Sequence, residues 1–350
     1  MKRNTDLDLI RAILIILMIL IHIVSFGNAY PHLKAGILSF MMPTFLIITG
    51  YLVNIEKTGR QMGNYLKCLA LPYVIMVTGF SVLSYYMPVR DGITELSLSQ
   101  IGEKIFITSI GPYWFIQTMI ICGTLYYFSF RGRNWNDLHK NYTKRDTYAS
   151  LFVFALTLLL ISETPALSAS AAAYYFIGVV IRQSKTEWSK LFRHEFFAIF
   201  LWIYLLYRDD WYDWGNLAIV FSCWCCISCL LFLQHLLDIP ERFKDFSPMI
   251  EKVAKVTNRI KDTLLYIGRN TLPIYLFHPI FTMAAKFYHP PLCRGSERDF
   301  VCCRHRYPCH YRQPAHRQGD GEDQTGLSLR KREIIKINPD RSIFCRKNIC

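Results

Sequence analysis

What the sequence lacks narrows it first. Only 19% of its 350 residues are charged, and acids are the scarcer sign, 26 Asp or Glu against 40 Lys or Arg. No C-x-x-C pair comes with a matching second pair, so the twelve cysteines do not spell a structural zinc module and no metal site is expected. The first hydrophobic block has no small-residue cleavage pattern and is too long for a signal peptide, so it reads as a retained helix. No clear internal repeat is visible, which weighs against a transporter built from two related halves. What fills the chain instead is apolar. Hydrophobic residues make up 52% of it and come in blocks rather than at amphipathic spacing. That pattern separates a membrane protein from a large soluble core.

Nine apolar runs are candidate spans, at approximately 7–26, 36–53, 69–87, 113–130, 148–162, 166–181, 195–207, 215–237 and 271–288. With the N-terminus placed in the cytoplasm, the segments on that side hold 21 Lys or Arg residues. The outer loops hold four: Lys34, Arg90, Lys104 and Arg208. This asymmetry fits the positive-inside rule and sets both orientation and parity. The formal charge of +14 is then a topology signal and implies no nucleic acid. The predicted fold class is all-α: a polytopic membrane protein of about nine transmembrane helices with a cytoplasmic N-terminus.

After Pro291 the composition changes abruptly. Residues 292–350 contain 13 Lys or Arg and six of the twelve cysteines, with no apolar run of membrane length. Nine spans would put this basic tail outside, against the charge rule that holds elsewhere. Cys302, Cys303, His305, Cys309 and His310 crowd together, but without the paired spacing of a zinc site. The chain therefore divides into a transmembrane domain, 1–290, and an atypical basic, Cys-rich tail, 291–350. The tail is expected to be disordered and outside the fold, as a reading-frame change in place of a tenth helix would leave it. Translating the other two frames past codon 291 checks this; finding no apolar span there refutes it.

The first block, LDLIRAILIILMILIHIVSF, carries Asp8, Arg11 and His22 in an otherwise membrane-length run. Asn4 or Asp6 can cap its helix. Ionisable groups in such a segment are costly and usually face a protein interior or a watery cavity. Asp8 and Arg11 form an i, i+3 pair, which suits either a site or a pair snorkelling at the interface. Arg11 and His22 are eleven positions apart, about three turns, so they share one stripe with a separation of about 16 Å. They cannot touch, but they can line two levels of one path. Imidazole is the side chain best suited to take a proton from a hydroxyl near neutral pH. A second intramembrane histidine, His278, lies in the ninth span between Pro273 and Pro279.

Other features read more plainly. Pro43 is expected to kink the second span, and Thr49-Gly50 offers small residues for close helix packing. Lys57, Arg60 and Lys67 follow that span and suit topology or an anionic ligand. The C-W-C-C-I-S-C run at 223–229 reads as packing. The outer turn RDDWYDWG at 208–215 combines acids with Trp211, Tyr212 and Trp214, which fits a carbohydrate surface or an interfacial aromatic belt equally well.

Taken in order, these residues resemble the acyltransferase-3 family of integral membrane proteins. The resemblance rests on LDLIRAILIILMILIH, similar to the family's Asp-x-x-Arg followed by Arg-x10-His, and on MPTFLIITGYL, with Thr49 where Ser is usual. PYWFIQTMI and TLPIYLFHPIF look like its Trp-Phe and late Tyr-Leu-x-His segments. The resemblance covers residues 5 to 290. It implies about ten helices in a bacterial cytoplasmic (inner) membrane and no permanently bound cofactor. It also implies acetyl-CoA or another acyl-CoA as donor, with a hydroxyl of a surface polysaccharide or lipid-linked saccharide as acceptor. Carried over, His22 is the catalytic histidine and Arg11 its companion. Arg60 and Lys67 are candidates for the donor's phosphates, with Asp8 and His278 as further candidates. The family's Arg-x-x-Arg before the third helix is here Lys67-Cys-Leu-Ala70, without its second arginine. Two other readings stay open: a multi-pass transporter whose path is lined by Arg11, His22 and His278, and a non-catalytic part of a polysaccharide assembly complex.

Overall fold

The apolar runs of the sequence are largely helical over their described residues, the first being interrupted at Ile23, and no strand occurs among the described residues. The computed structural model describes residues 4–87, 91–131, 144–186, 188–192, 196–207 and 213–284. In chain order the helices are α1 (Thr5–His22), α2 (Val24–Ala29), α3 (Pro31–Leu52), α4 (Gly59–Tyr86) and α5 (Leu98–Phe106). A 3-10 turn, Gly111–Tyr113, leads into α6 (Trp114–Phe130), followed by α7 (Lys144–Ser162), α8 (Ala169–Gln183) and α9 (Trp188–Leu191). The set closes with α10 (Phe197–Tyr207), α11 (Leu217–Arg242), α12 (Pro248–Arg269) and α13 (Thr271–Ala284). The tail, Pro291–Cys350, is a separate unit outside the described residues, so the reading of its cysteines and histidines lies outside them too.

Local chemistry explains the helix starts. Asn4 caps α1, its side chain accepting from the Asp6 N–H at 2.9 Å, which settles the choice between Asn4 and Asp6. Thr58 and Gln61 form a reciprocal capping box at α4, satisfying two N–H groups at once. That box starts α4 ten residues before the apolar run at 69, so Arg60 and Lys67 sit on a helix and not in a loop. Ser247 and Pro248 start α12. This 22-residue helix occupies the stretch that reads in sequence as a long basic connection. Its buried positions, Ala254, Leu265 and Gly268, fall on one helical face, while Lys252, Lys255 and Arg259 face outward.

Two helix seams organise the bundle. Along α3 and α8, a Cβ at Gly50 would overlap the Tyr175 carbonyl, and one at Gly178 would overlap the Ile47 carbonyl. Only glycine allows backbones to meet so closely. α3 itself runs unbroken through Pro43. The second seam surrounds α1, which packs on α3, α11, α12 and α13 and is buried nearly all round by Leu9, Ile10, Leu14, Ile15, Met18 and Ile21. Here Gly268 of α12 lies against the Asp8 backbone, where a Cβ would strike the carbonyl.

By length and composition, four helices among the described residues are suited to cross a membrane: Pro31–Leu52, Gly59–Tyr86, Arg145–Ser162 and Leu217–Phe246. A fifth arises if Leu98–Phe106 and Gly111–Phe130, bent by 42°, count as one. α1 has the length, 18 residues, but carries Asp6, Asp8 and Arg11. α8, α10 and α13 have 15, 11 and 14 described residues, below the roughly 20 that span a hydrocarbon core.

Candidate active site

The site lies along α1 and α13, at two levels. At the first level the Arg11 guanidinium donates to the Thr271 hydroxyl, at the start of α13. It also stands 3.8 Å from the Asp8 carboxylate, whose second oxygen is 3.8 Å from Arg269. Asp8 is almost fully buried between the two guanidiniums and ties α1 to the end of α12. A buried carboxylate needs such partners, and in return it fixes where Arg11 lies.

Arg11 forms one wall of a cavity of about 270 Å³. Thr49, Asn54, Lys57, Tyr65 and Thr271 supply its other polar groups, and Ile15, Phe45, Phe115, Met119 and the Tyr275 ring part of its apolar wall. Lys57 lies over the Tyr65 ring at 3.9 Å, and its carbonyl accepts from the Tyr127 hydroxyl at 3.1 Å, which holds the loop between α3 and α4. Partial burial lowers the pKa of the Lys57 ammonium below its ordinary value. Arg60 and Lys67 are exposed and do not line this cavity. The lysine that does is Lys57, two residues before α4 begins.

The second level is a pair of histidines. The rings of His22 and His278 lie 5.1 Å apart, edge to face at 74°. His22 Nδ1 is 2.7 Å from the Met18 carbonyl, and His278 Nδ1 is 2.6 Å from the Tyr275 carbonyl. A carbonyl only accepts, so each Nδ1 carries its proton, and in each neutral ring Nε2 carries the lone pair. Both rings are thus held as bases by their own helices. α1 ends at His22: Ile23 is extended, and the six-residue α2 follows. The continuous helix to Phe26 that the apolar run suggests is broken directly after the base.

α13 joins the levels. Thr271 and Tyr275 line the cavity, Tyr275 provides the carbonyl that anchors His278, and their rings are 5.4 Å apart. Since Arg11 meets Thr271 and His22 meets His278, α1 and α13 run parallel. Sequence order alone signals neither the pairing of the histidines nor the parts of Thr271, Tyr65 and Arg269, which are brought in by tertiary packing. Of the outer turn, Trp211 and Tyr212 lie outside the described residues, while Trp214 packs on Trp114 at 5.8 Å and its carbonyl accepts from Tyr174 at 2.8 Å. The four cysteines of the 223–229 run are buried, and among the described residues no group of three His, Cys, Asp or Glu could hold a metal.

α1 and α13 thus run side by side with cationic groups at one level and oriented imidazoles at the other. The family model described as an acyltransferase domain matches residues 4–292, and the chain belongs to the acyltransferase-3 family. It is a multi-pass membrane protein with an acyltransferase domain. No curated protein and no solved structure matches it.

Proposed function

We propose that this chain is a membrane O-acyltransferase. In this reading it moves an acyl group, acetyl first among them, from acyl-CoA to a hydroxyl of a surface polysaccharide or lipid-linked saccharide. The observation that carries the reading is the two-level seam. Arg11 and Lys57 flank a cavity at one end, and His22 stands as an oriented base at the other. The separation expected from eleven helical residues, about 16 Å, suits an extended donor whose phosphates lie far from its thioester. Arg11 and Lys57 pair with the phosphates. His22 Nε2 takes the proton of the acceptor hydroxyl as its oxygen attacks the thioester carbonyl carbon. The carbon–sulfur bond then breaks, and the departing thiolate recovers the proton from His22, leaving the imidazole as it began. Ile15, Phe45 and Phe115 keep the walls apolar and limit thioester hydrolysis.

The nine-span topology with a cytoplasmic N-terminus belongs to the same proposal, in the cytoplasmic membrane of a bacterial envelope. The parallel run of α1 and α13 supports it, because parallel first and ninth spans need an odd number of crossings between them. Transfer of labelled acetyl from acetyl-CoA to glycan, in membranes carrying this chain at matched expression, tests the function. Label should appear with the parent chain and fall by a factor of about 100 or more in His22→Ala. Label unchanged by that substitution overturns His22 as the base, and label from neither chain overturns the acetyl-to-glycan assignment.

A further inference from the structure

Helix α12 and the turn before it carry an apolar stripe that nothing among the described residues covers. Phe246, Met249, Val253, Val256 and Ile260 recur every three or four residues, and all are exposed, Phe246 at 80% and Met249 at 75%. At about 100° per residue, the four on α12 fall within about 60° of arc, about 120° round from buried Ala254, Leu265 and Gly268. The stripe is therefore a second apolar face, separate from the one that packs in the bundle. Lys252 and Arg259 follow about 80° further round, exposed and without an ion-pair partner among the described residues. Glu251 and Asp262 lie beyond them, on the side opposite the stripe.

Seven of the 22 residues of α12 are charged, too many for a helix that crosses hydrocarbon. An exposed apolar stripe edged by cations, on a helix that does not span, is the pattern of one lying in the headgroup layer. The chain is already a membrane protein, and only Asn270 separates α12 from α13. A partner helix seated on the stripe as in a coiled coil would need free charged positions on both flanks. Here one flank leads to the buried face, and only the other is charged. Two unpaired cations on that flank find their complement in anionic headgroups.

We propose that α12 is a docking face for anionic phospholipid of the surrounding bilayer. The stripe enters the boundary between headgroups and acyl chains, and Lys252 and Arg259 pair with the lipid phosphates. The inference does not depend on the acyl-transfer reading. It bears on the site all the same, because Gly268 and Arg269, at the far end of α12, rest on Asp8 beside Arg11.

The test uses the full chain in nanodiscs of phosphatidylcholine and phosphatidylglycerol in equal parts. Photoreactive p-benzoylphenylalanine replaces Val256 or, in a second variant, Met249, so that one reports if the other misfolds. The same group in place of Glu251 is the control on the opposite side. Irradiation should give phospholipid adducts, identified by mass, at 249 and 256 and few at 251. Phosphatidylglycerol adducts should exceed phosphatidylcholine adducts by about fivefold or more, the effect of about one cation near an anionic surface. Lys252→Gln with Arg259→Gln should bring the two lipids to parity while the adducts persist. Lipid adducts absent from both stripe positions, or as frequent at 251, overturn the inference. So does parity of the two lipids in the parent, or a preference that the double substitution leaves unchanged. Cross-linking of the stripe to a second copy of the chain also overturns it and makes the face a dimer contact.

Discussion

The α3–α8 seam and the α1–α13 seam solve opposite problems with the same helical material. The first brings two backbones together over Gly50 and Gly178, so that nothing fits between them. The second keeps side chains between its helices, with Arg11 against Thr271 at one level and His22 against His278 at the other. In a membrane, where apolar side chains gain little by meeting one another, close contact of small residues is a main source of helix association. In the proposed reading, stability resides in the first seam and chemistry in the second.

The sharpest way to break that division is to fill the glycine seam. Gly178→Val should cost about 3 kcal/mol or more and leave little folded protein, measured as monodisperse yield from membranes. A well-folded Gly178→Val chain would show that the close approach is not what holds α3 to α8. Next in size is His22→Ala, expected to lose activity by a factor of 100 to 10,000 with unchanged thermal unfolding. If unfolding shifts as far as it does for the glycine variant, the two seams do not separate stability from chemistry. Third, Arg11→Ala should weaken donor binding by roughly 10- to 140-fold, since hydrogen bonds to charged groups contribute about 1.5–3 kcal/mol. Equilibrium titration with a non-transferable acyl-CoA analogue reads this directly.

Smaller effects refine the map of the donor end. Lys57→Met should raise the donor KM about fivefold, as expected for one partly screened charge, and leave kcat nearly unchanged. Lys67→Met should change it by less than about twofold, because Lys67 is exposed and off the cavity wall. If the two lysines exchange these values, the donor's phosphates lie along the outer face of α4 instead.

How far the sequence alone reaches differs between the seams. Thr49-Gly50 is legible as a packing element, and the apolar blocks locate the long apolar helices, because both are local signals of composition. The Arg11–His22 stripe is also legible, since one helix fixes its geometry. α12 is not, because its buried positions are three residues scattered through a basic stretch, so a reading by apolar runs sees a connection. Lys57 could not be ranked above Arg60 and Lys67 without the path of the loop that carries it. The break after His22 has no glycine or proline to announce it. The meeting of His22 and His278 is a fact of α1 and α13 lying side by side, and nothing local to either histidine encodes it.

One measurement tests the central division of labour along α1. Affinity for a non-transferable acyl-CoA analogue is compared in Arg11→Ala and His22→Ala, each as the full chain in the same membrane mimic. Arg11→Ala should lose donor affinity, while His22→Ala should bind the analogue as the parent does and fail only in transfer. Donor affinity lost with His22 and kept without Arg11 would contradict that division.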